Sequence, residues 1–270
     1  MSAMLRAILW DVDGTLAETE RDGHRVAFNR AFEALGVPWR WDEQHYGRLL
    51  AVTGGRQRLL QDMRRQPQAP AGALQRDQLA SHLHLLKNRL YAQIVAGGGI
   101  TLRDGVAELF DDCLRAGVTM AIVTTTSRAN VDALMSFRFG AAWRRMFAAV
   151  VCGEDAPRSK PDPSAYRIAL DALGLRGPDT LAVEDSPAGI AAADAAGIPV
   201  ALTRSRYFAG ADAGPSIAHG GSLTQVATWR PAIGDPSVTR IALRQLQAWH
   251  AAHAASRPRL RRSDPLPVGG

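Results

Sequence analysis

Residues 8–15 read Ile8-Leu9-Trp10-Asp11-Val12-Asp13-Gly14-Thr15. An apolar run with the character of a buried strand stops at two carboxylates separated by one residue, and Gly14 then allows the backbone a tight turn. In an extended segment alternate side chains share a side, so Asp11 and Asp13 are expected to face one small site at the carboxyl end of the strand. Two like charges placed together call for a cation. Hard carboxylate oxygens suit Mg²⁺, which takes one or two of them and keeps positions for water and phosphate oxygens. An exposed turn is the plain alternative. A calcium loop would need a further acidic or amide position before its glycine and a flanking helix, and neither is present.

Working outward from this stretch, the apolar pattern turns helical. Ala27, Phe28, Ala31, Phe32 and Leu35 fall at helix spacing, and Gly36 with Pro38 supplies the stop. Trp39-Arg40-Trp41 links to a segment opening at Asp42, with Tyr46, Leu49 and Leu50 as its apolar side. Thr53-Gly54-Gly55 precedes another helix carrying Leu59, Leu60 and Met63. Leu79, Leu83, Leu86, Leu90 and Ile94 mark one more amphipathic helix, closed by Gly97-Gly98-Gly99. Residues 16–99 therefore read as an all-helical cap inserted after the first strand.

Beyond the glycines helices and strands alternate. Residues 118–123, 147–151, 181–183 and 198–202 read as strands, each preceded or followed by a helical pattern ending at Gly117, Gly174 or Gly197. Such alternation implies a parallel sheet covered on both faces, with ligands bound beyond the carboxyl ends of its strands. The expected organisation is a discontinuous Rossmann-like core over residues 1–15 and 100–230, the helical cap over 16–99, and a C-terminal helix with a basic, disordered tail over 231–270.

Each expected strand ends in residues suited to phosphate. The first ends at Asp11 and Asp13. The second runs into Thr124-Thr125-Thr126-Ser127, whose hydroxyls and backbone N–H groups suit phosphoryl oxygens near a helix start. After the third comes Ser159-Lys160-Pro161-Asp162-Pro163, and the fourth ends at Glu184-Asp185-Ser186. Singly, each has an ordinary explanation: an N-cap cluster, a solvated lysine, helix-capping acids. Their coincidence on one edge of one sheet points to a site.

Composition is that of a globular protein able to bury a sizeable core, with 46% hydrophobic and 21% charged among 270 residues. No apolar run approaches the ~20 residues of a membrane span, and the N-terminal stretch lacks the layout of a signal peptide, so the cytoplasm is the expected compartment. Cys113 and Cys152 read as reduced, packed thiols. Part of the +6 charge lies in Arg257, Arg259, Arg261 and Arg262, read as a solvated end. His250 and His253, three apart with no third ligand, read as a solvated helix face.

In order and spacing these pieces resemble the haloacid dehalogenase superfamily: Asp11-Val12-Asp13-Gly14-Thr15 is similar to its first motif, Thr124 to its second, Lys160 to its third and Glu184-Asp185 to its fourth. The chain further resembles the CbbY-like branch, through Asp13-Gly14-Thr15-Leu16-Ala17-Glu18-Thr19-Glu20, Phe28-Asn29, Thr53-Gly54-Gly55-Arg56, Thr124-Thr125-Thr126-Ser127 with Asn130, and Lys160-Pro161. Members of that branch include phosphatases of xylulose 1,5-bisphosphate. Three departures stand out. Trp10 replaces the usual Phe, Arg56 stands where Lys is frequent, and Gly23 lengthens by one residue the spacing before His24.

The resemblance implies Asp11 as nucleophile forming an aspartyl phosphate, and Asp13 as acid and then base. It implies Mg²⁺ held by Asp11, Asp185 and the backbone carbonyl of Asp13, with Glu184 orienting a metal-bound water, and Lys160 and Thr124 holding phosphoryl oxygens. Glu20, His24 and Tyr46 are the implied sugar contacts. Free N–H groups at Gly54 and Gly55 beside Arg56 form a natural anion site for a second phosphate. Thr125 and Arg128 are further candidates for substrate, and Thr15 is the residue phosphatases tend to carry where related hexose-phosphate mutases carry an apolar one. The expected partner is a small phosphosugar, with no nucleic acid or membrane involved and a monomer compatible with the sequence. Two alternatives stand beside it: a β-phosphoglucomutase-like phosphosugar mutase, and a non-catalytic basic binding protein on the same scaffold.

Overall fold

The computed structural model describes residues 4–256. Six strands, β1 (Ala7–Trp10), β2 (Thr119–Val123), β3 (Ala149–Val151), β4 (Thr180–Glu184), β5 (Val200–Thr203) and β6 (Ala218–Gly220), form one sheet in the order β3-β2-β1-β4-β5-β6, parallel throughout. This is the α/β, Rossmann-like sheet expected from the alternation. β6 is an addition to the strands read in the sequence; at three residues it is too short for its period to register.

β1 lies at the centre. It pairs with β2 on one side and β4 on the other, and every residue in it is buried. Ile8 and Trp10 enter the core on one face of the sheet, Ala7 and Leu9 that on the other. The chain builds outward from β1 through β2 to β3, then returns to β1's other side as β4. The order reverses there, and the carboxyl ends of β1 and β4 open a crevice.

Nine α-helices are seen among the described residues: α1 (Arg25–Ala34), α2 (Glu43–Leu49), α3 (Gly55–Met63), α4 (Ala73–Ala96), α5 (Val106–Ala116), α6 (Arg128–Phe139), α7 (Ser164–Leu173), α8 (Pro187–Ala195) and α9 (Leu243–Ser256). The first four follow β1 directly and have an aromatic core of their own, in which Phe28, Phe32, Trp41 and Tyr46 pack together. Trp41, read in the sequence as part of a link, is fully buried, and its Nε1 donates to Asp62 at 2.7 Å.

Between β1 and α1 stands a single π-helical turn, Glu20–His24. A π turn accommodates one residue more than an α turn. The extra Gly23 lies in it, packed so tightly on Tyr91 that a Cβ would come within 2.9 Å of the ring.

Cys113 and Cys152 are free and buried, as expected. His250 is a correction: it is buried, not solvated, because α9 packs it against the turn before β4, where its Nε2 bonds the carbonyl of Pro178 at 3.0 Å. No helix among the described residues is long and apolar enough to cross a membrane. The basic residues Arg257, Arg259, Arg261 and Arg262 lie outside the described residues.

Candidate active site

At the ends of β1 and β4, Asp11, Glu184 and Asp185 bring carboxylate oxygens within 4.8 Å of one another, all three residues buried. Lys160, from the loop before α7, reaches under them. Its Nζ donates to Asp11 Oδ1 at 2.8 Å, to Glu184 Oε1 at 2.6 Å and to the carbonyl of Val123 at 2.8 Å. Tyr166 adds a hydroxyl to the same Glu184 oxygen at 2.5 Å, leaving Glu184 Oε2 buried and without a partner. Burial above all, then repulsion from Glu184 and Asp13, raises Asp11 to about 7 against the pull of Lys160. Burial and the charge of Asp11 likewise push Asp185 well above the usual carboxylate range. Lys160 is raised as well, but for the opposite reason: burial alone would lower it, and Asp11 and Glu184 outweigh burial and hold the ammonium charged. One lysine faces three acids, and hard oxygen donors in this number fit a divalent cation.

Asp13 does not join that trio, although strict alternation would place it there. β1 ends at Trp10, Asp13 makes a parallel bridge with Ala17, and Gly14 turns the chain at φ +83°. The Asp13 carboxylate consequently faces the helices, accepting from Thr19 Oγ1 at 2.6 Å and lying 2.9 Å from His24 Nε2. Burial opposes its ionisation, but the His24 ring and the Thr19 hydroxyl prevail and hold it below the ordinary range. Asp13's charge is thus stabilised separately from Asp11's.

Two cavities meet here. One of about 460 Å³ is lined by Asp11, Asp185, Lys160 and Thr53 among others. A second of about 200 Å³ lies between the helices after β1 and the strand-end loops, walled by Gly54, Gly55, Arg56, His84, Lys87 and Glu154 among others. Asp13, Glu20, Arg58 and Thr125 line both, so they form the passage between them. The first chamber gathers Asp11, Asp13, Glu20 and Asp185 against Lys160, Arg48 and Arg58; the second sets Arg56, Arg58 and Lys87 beside Asp13, Glu20 and Glu154.

The remaining sequence-derived candidates fall outside these walls. Thr15 is buried with its hydroxyl unpartnered. Thr124 is buried at the end of β2, where its Oγ1 accepts from Thr126 N at 3.2 Å. Tyr46 is a correction to its reading as a direct sugar contact: it is fully buried in the aromatic core, and its hydroxyl donates to Glu20 while accepting from Arg58 at 2.7 Å. Arg128 is a second correction, since its guanidinium turns aside to pair with Asp155. Arg56, which does line the second chamber, pairs with Asp77.

Arg58, His84 and Lys87 were missed. Lys87 carries a readable signal, because it interrupts the buried stripe Leu83, Lys87, Tyr91, Val95 of α4. A lysine there implies a reason for its charge. Arg58 shares the buried face of α3 with Leu59, Asp62 and Met63.

Residues 5–197 match the haloacid dehalogenase-like hydrolase family. CbbY from Rhodobacter capsulatus is 43% identical over 208 residues, covering 77% of this chain and 89% of that protein. The plasmid-borne CbbY of Cupriavidus necator is 42% identical over 205 residues, covering 76% and 80%. Among solved structures, an Asp-to-Asn variant of CbbY from Rhodobacter sphaeroides in complex with xylulose-(1,5)bisphosphate superimposes with a TM-score of 0.74 at 38% identity, covering 79% of this chain and 92% of that one. The chain belongs to the haloacid dehalogenase-like hydrolases and, within them, to the CbbY proteins, and its activity class is that of a phosphatase.

Proposed function

We propose that the protein is a Mg²⁺-dependent phosphatase of small phosphorylated sugars, with xylulose 1,5-bisphosphate as substrate and an aspartyl phosphate as intermediate. The observation that carries this reading is the pair of joined chambers. The first chamber suits a phosphoryl group beside Asp11 and Lys160, while the second, where Arg56, Arg58 and Lys87 stand around the N-terminus of α3 at Gly54 and Gly55, suits a second phosphate. A bisphosphate would span the passage between them. Glu20 lies in that passage, held by Tyr46 and Arg58, in place to accept from sugar hydroxyls.

In the first half-reaction a carboxylate oxygen of Asp11 attacks phosphorus, forming the acyl-phosphate bond as the bond from phosphorus to the sugar oxygen breaks. Asp13 gives its proton to the departing oxygen. In the second half Asp13 takes a proton from water, whose oxygen attacks phosphorus and releases phosphate and Asp11. The resting site suits the second half, with Asp13 ionised between Thr19 and His24. The negative charge of an arriving substrate raises its proton affinity for the first. Lys160 opposes the effect of burial on Asp11 and so favours its ionised form for attack, and Thr125, with Thr124 behind it, presents polar groups to the phosphoryl oxygens. Asp11, Asp185 and the carbonyl of Asp13 would hold Mg²⁺, with Glu184 behind them, and the bound ion would supply charge neutralisation at the phosphoryl oxygens.

The test is phosphate release by the purified protein with Mg²⁺, comparing xylulose 1,5-bisphosphate with ribulose 1,5-bisphosphate, glucose 1-phosphate and phosphoglycolate, with Asp11→Asn as the blank. A strong preference for the xylulose compound, absent in the blank, is expected. Equal weak turnover of all four would remove the substrate from the proposal. A long-lived aspartyl phosphate with isomerised sugar phosphate as product would replace hydrolysis by mutase chemistry.

A further inference from the structure

Behind the acidic trio lies a residue outside every strand-end motif. Arg103 stands on the crossover from the helices back to the sheet, where its N–H donates to the carbonyl of Leu16 at 2.8 Å. Neighbouring Leu102 forms an antiparallel bridge with Ala17, so the outgoing and returning crossovers run side by side. The Arg103 side chain is 8% exposed. Its Nη1 donates to the carbonyl of Gly14 and, at 3.0 Å, to that of Thr203; its Nη2 donates to the carbonyl of Arg204 at 2.7 Å. Nε lies 3.6 Å from Glu18. One guanidinium thus joins the turn after Asp13 to the end of β5.

Both of these segments touch the trio. Gly14 N donates to Ala17 at 2.8 Å while its carbonyl is held by Arg103, so the peptide planes on either side of Gly14 are fixed. In a trans peptide the carbonyl of Asp13 points opposite to the N–H of Gly14, hence away from Ala17. Across the turn, Asp185 stands so close to Gly14 that a Cβ there would lie 2.0 Å from its Oδ2. Ser205, the residue after Arg204, stands beside that carboxylate, its own Cβ 3.0 Å from the same ideal position. A lysine, with a single nitrogen, lacks the planar fork that spans these separate carbonyls.

We propose that Arg103 is a positioning residue for the divalent-cation site: by tying the Gly14 turn to the end of β5, it sets the spacing of the Asp11 and Asp185 carboxylates and the Asp13 carbonyl on which cation affinity depends. This rests on the reading of the trio as that site.

The experiment counts free Mn²⁺ by its electron paramagnetic resonance signal during titration of the full chain, for the wild type, Arg103→Lys, Arg103→Met and Ser205→Ala. Thermal unfolding and the Mg²⁺ concentration for half-maximal phosphate release are measured beside it. The Arg103 variants are expected to bind Mn²⁺ at least tenfold more weakly, Lys less affected than Met, with half-maximal Mg²⁺ raised in parallel and kcat recovered at high Mg²⁺. Ser205→Ala is expected to weaken Mn²⁺ binding about threefold. Wild-type Mn²⁺ affinity in folded Arg103 variants, whatever their melting temperature, would overturn the proposal. If neither Arg103 variant folds, wild-type affinity in Ser205→Ala overturns it instead. Failure of the wild type itself to bind Mn²⁺ would overturn both this inference and the divalent-site reading, whereas equal binding by wild type and variants overturns the inference alone.

Discussion

The Oδ2 atom of Asp185 occupies the space a side chain at Gly14 would need: an ideal Cβ on residue 14 would stand 2.0 Å from it. Gly14 also has φ +83°, where a side chain is strained by roughly 1–2 kcal/mol. Gly14→Ala is therefore expected to fold with a melting temperature only a few degrees lower, while phosphate release falls at least a hundredfold because Asp185 or the turn must move. Circular dichroism melts beside the phosphate assay check this. Activity within twofold of wild type would show that the close approach is unimportant.

The trio makes stability depend on pH and on cation. Burial first, with Glu184 and Asp13, holds Asp11 at about 7 against an ordinary 3.8. The folded state therefore binds the proton more tightly than the unfolded chain, and stability falls as pH rises from about 4 to about 7. A divalent cation compensates the charges that appear over that interval. Mg²⁺ is expected to raise the melting temperature more at pH 8 than at pH 5, and an equal shift at both would contradict it.

Lys87 behaves in the opposite sense. Burial, with the charge of Arg58, lowers it to about 8 despite attraction to Asp13 and Glu20. Since the unfolded lysine keeps its proton to about 10.5, this group's contribution to stability rises between pH 8 and 10.5. Lys87→Met is expected to melt higher at pH 7, by about 2 kcal/mol or less, yet to raise KM for a bisphosphate about tenfold. Wild-type KM should climb above pH 8, and that of the variant should not. Matching profiles would remove Lys87 from the substrate's surroundings.

Lys160 is the only cation bonded to the trio among the described residues, and its three acceptors are all buried. Lys160→Met strands two carboxylates and a carbonyl, a loss on the order of 3–5 kcal/mol. Urea unfolding is expected to show the loss in full at pH 8 and in part at pH 5, where protons neutralise the acids. Phosphate release should fall more than a thousandfold. A variant as stable as wild type at pH 8 would contradict this account of the site.

The strand-end motifs were readable because each follows an apolar run whose local period already places it at one edge of a parallel sheet. Asp11, Lys160, Glu184 and Asp185 converge as the topology requires. Where the reading went astray, a turn or a distant packing partner intervened. Asp13 stands apart from the trio because Thr19 and His24 hold its carboxylate, and Tyr46 became core because Phe28 and Trp41 close over it. Gly23 lengthens the spacing before His24 by one residue, yet the π turn absorbs it and His24 still reaches Asp13.

Local pattern and residue chemistry are enough for the sheet, its active edge and the acids along it, since period and side-chain type are properties of neighbouring residues. The environment of those acids is decided by contacts between residues far apart in the chain. His24 meets Asp13 across 11 residues, Arg103 meets Gly14 across 89, and Thr53 meets the carbonyl of Lys160 across 107. The direction in which each carboxylate points, and which cation answers it, follow from how the helices after β1 fold back over the sheet. No local period encodes that.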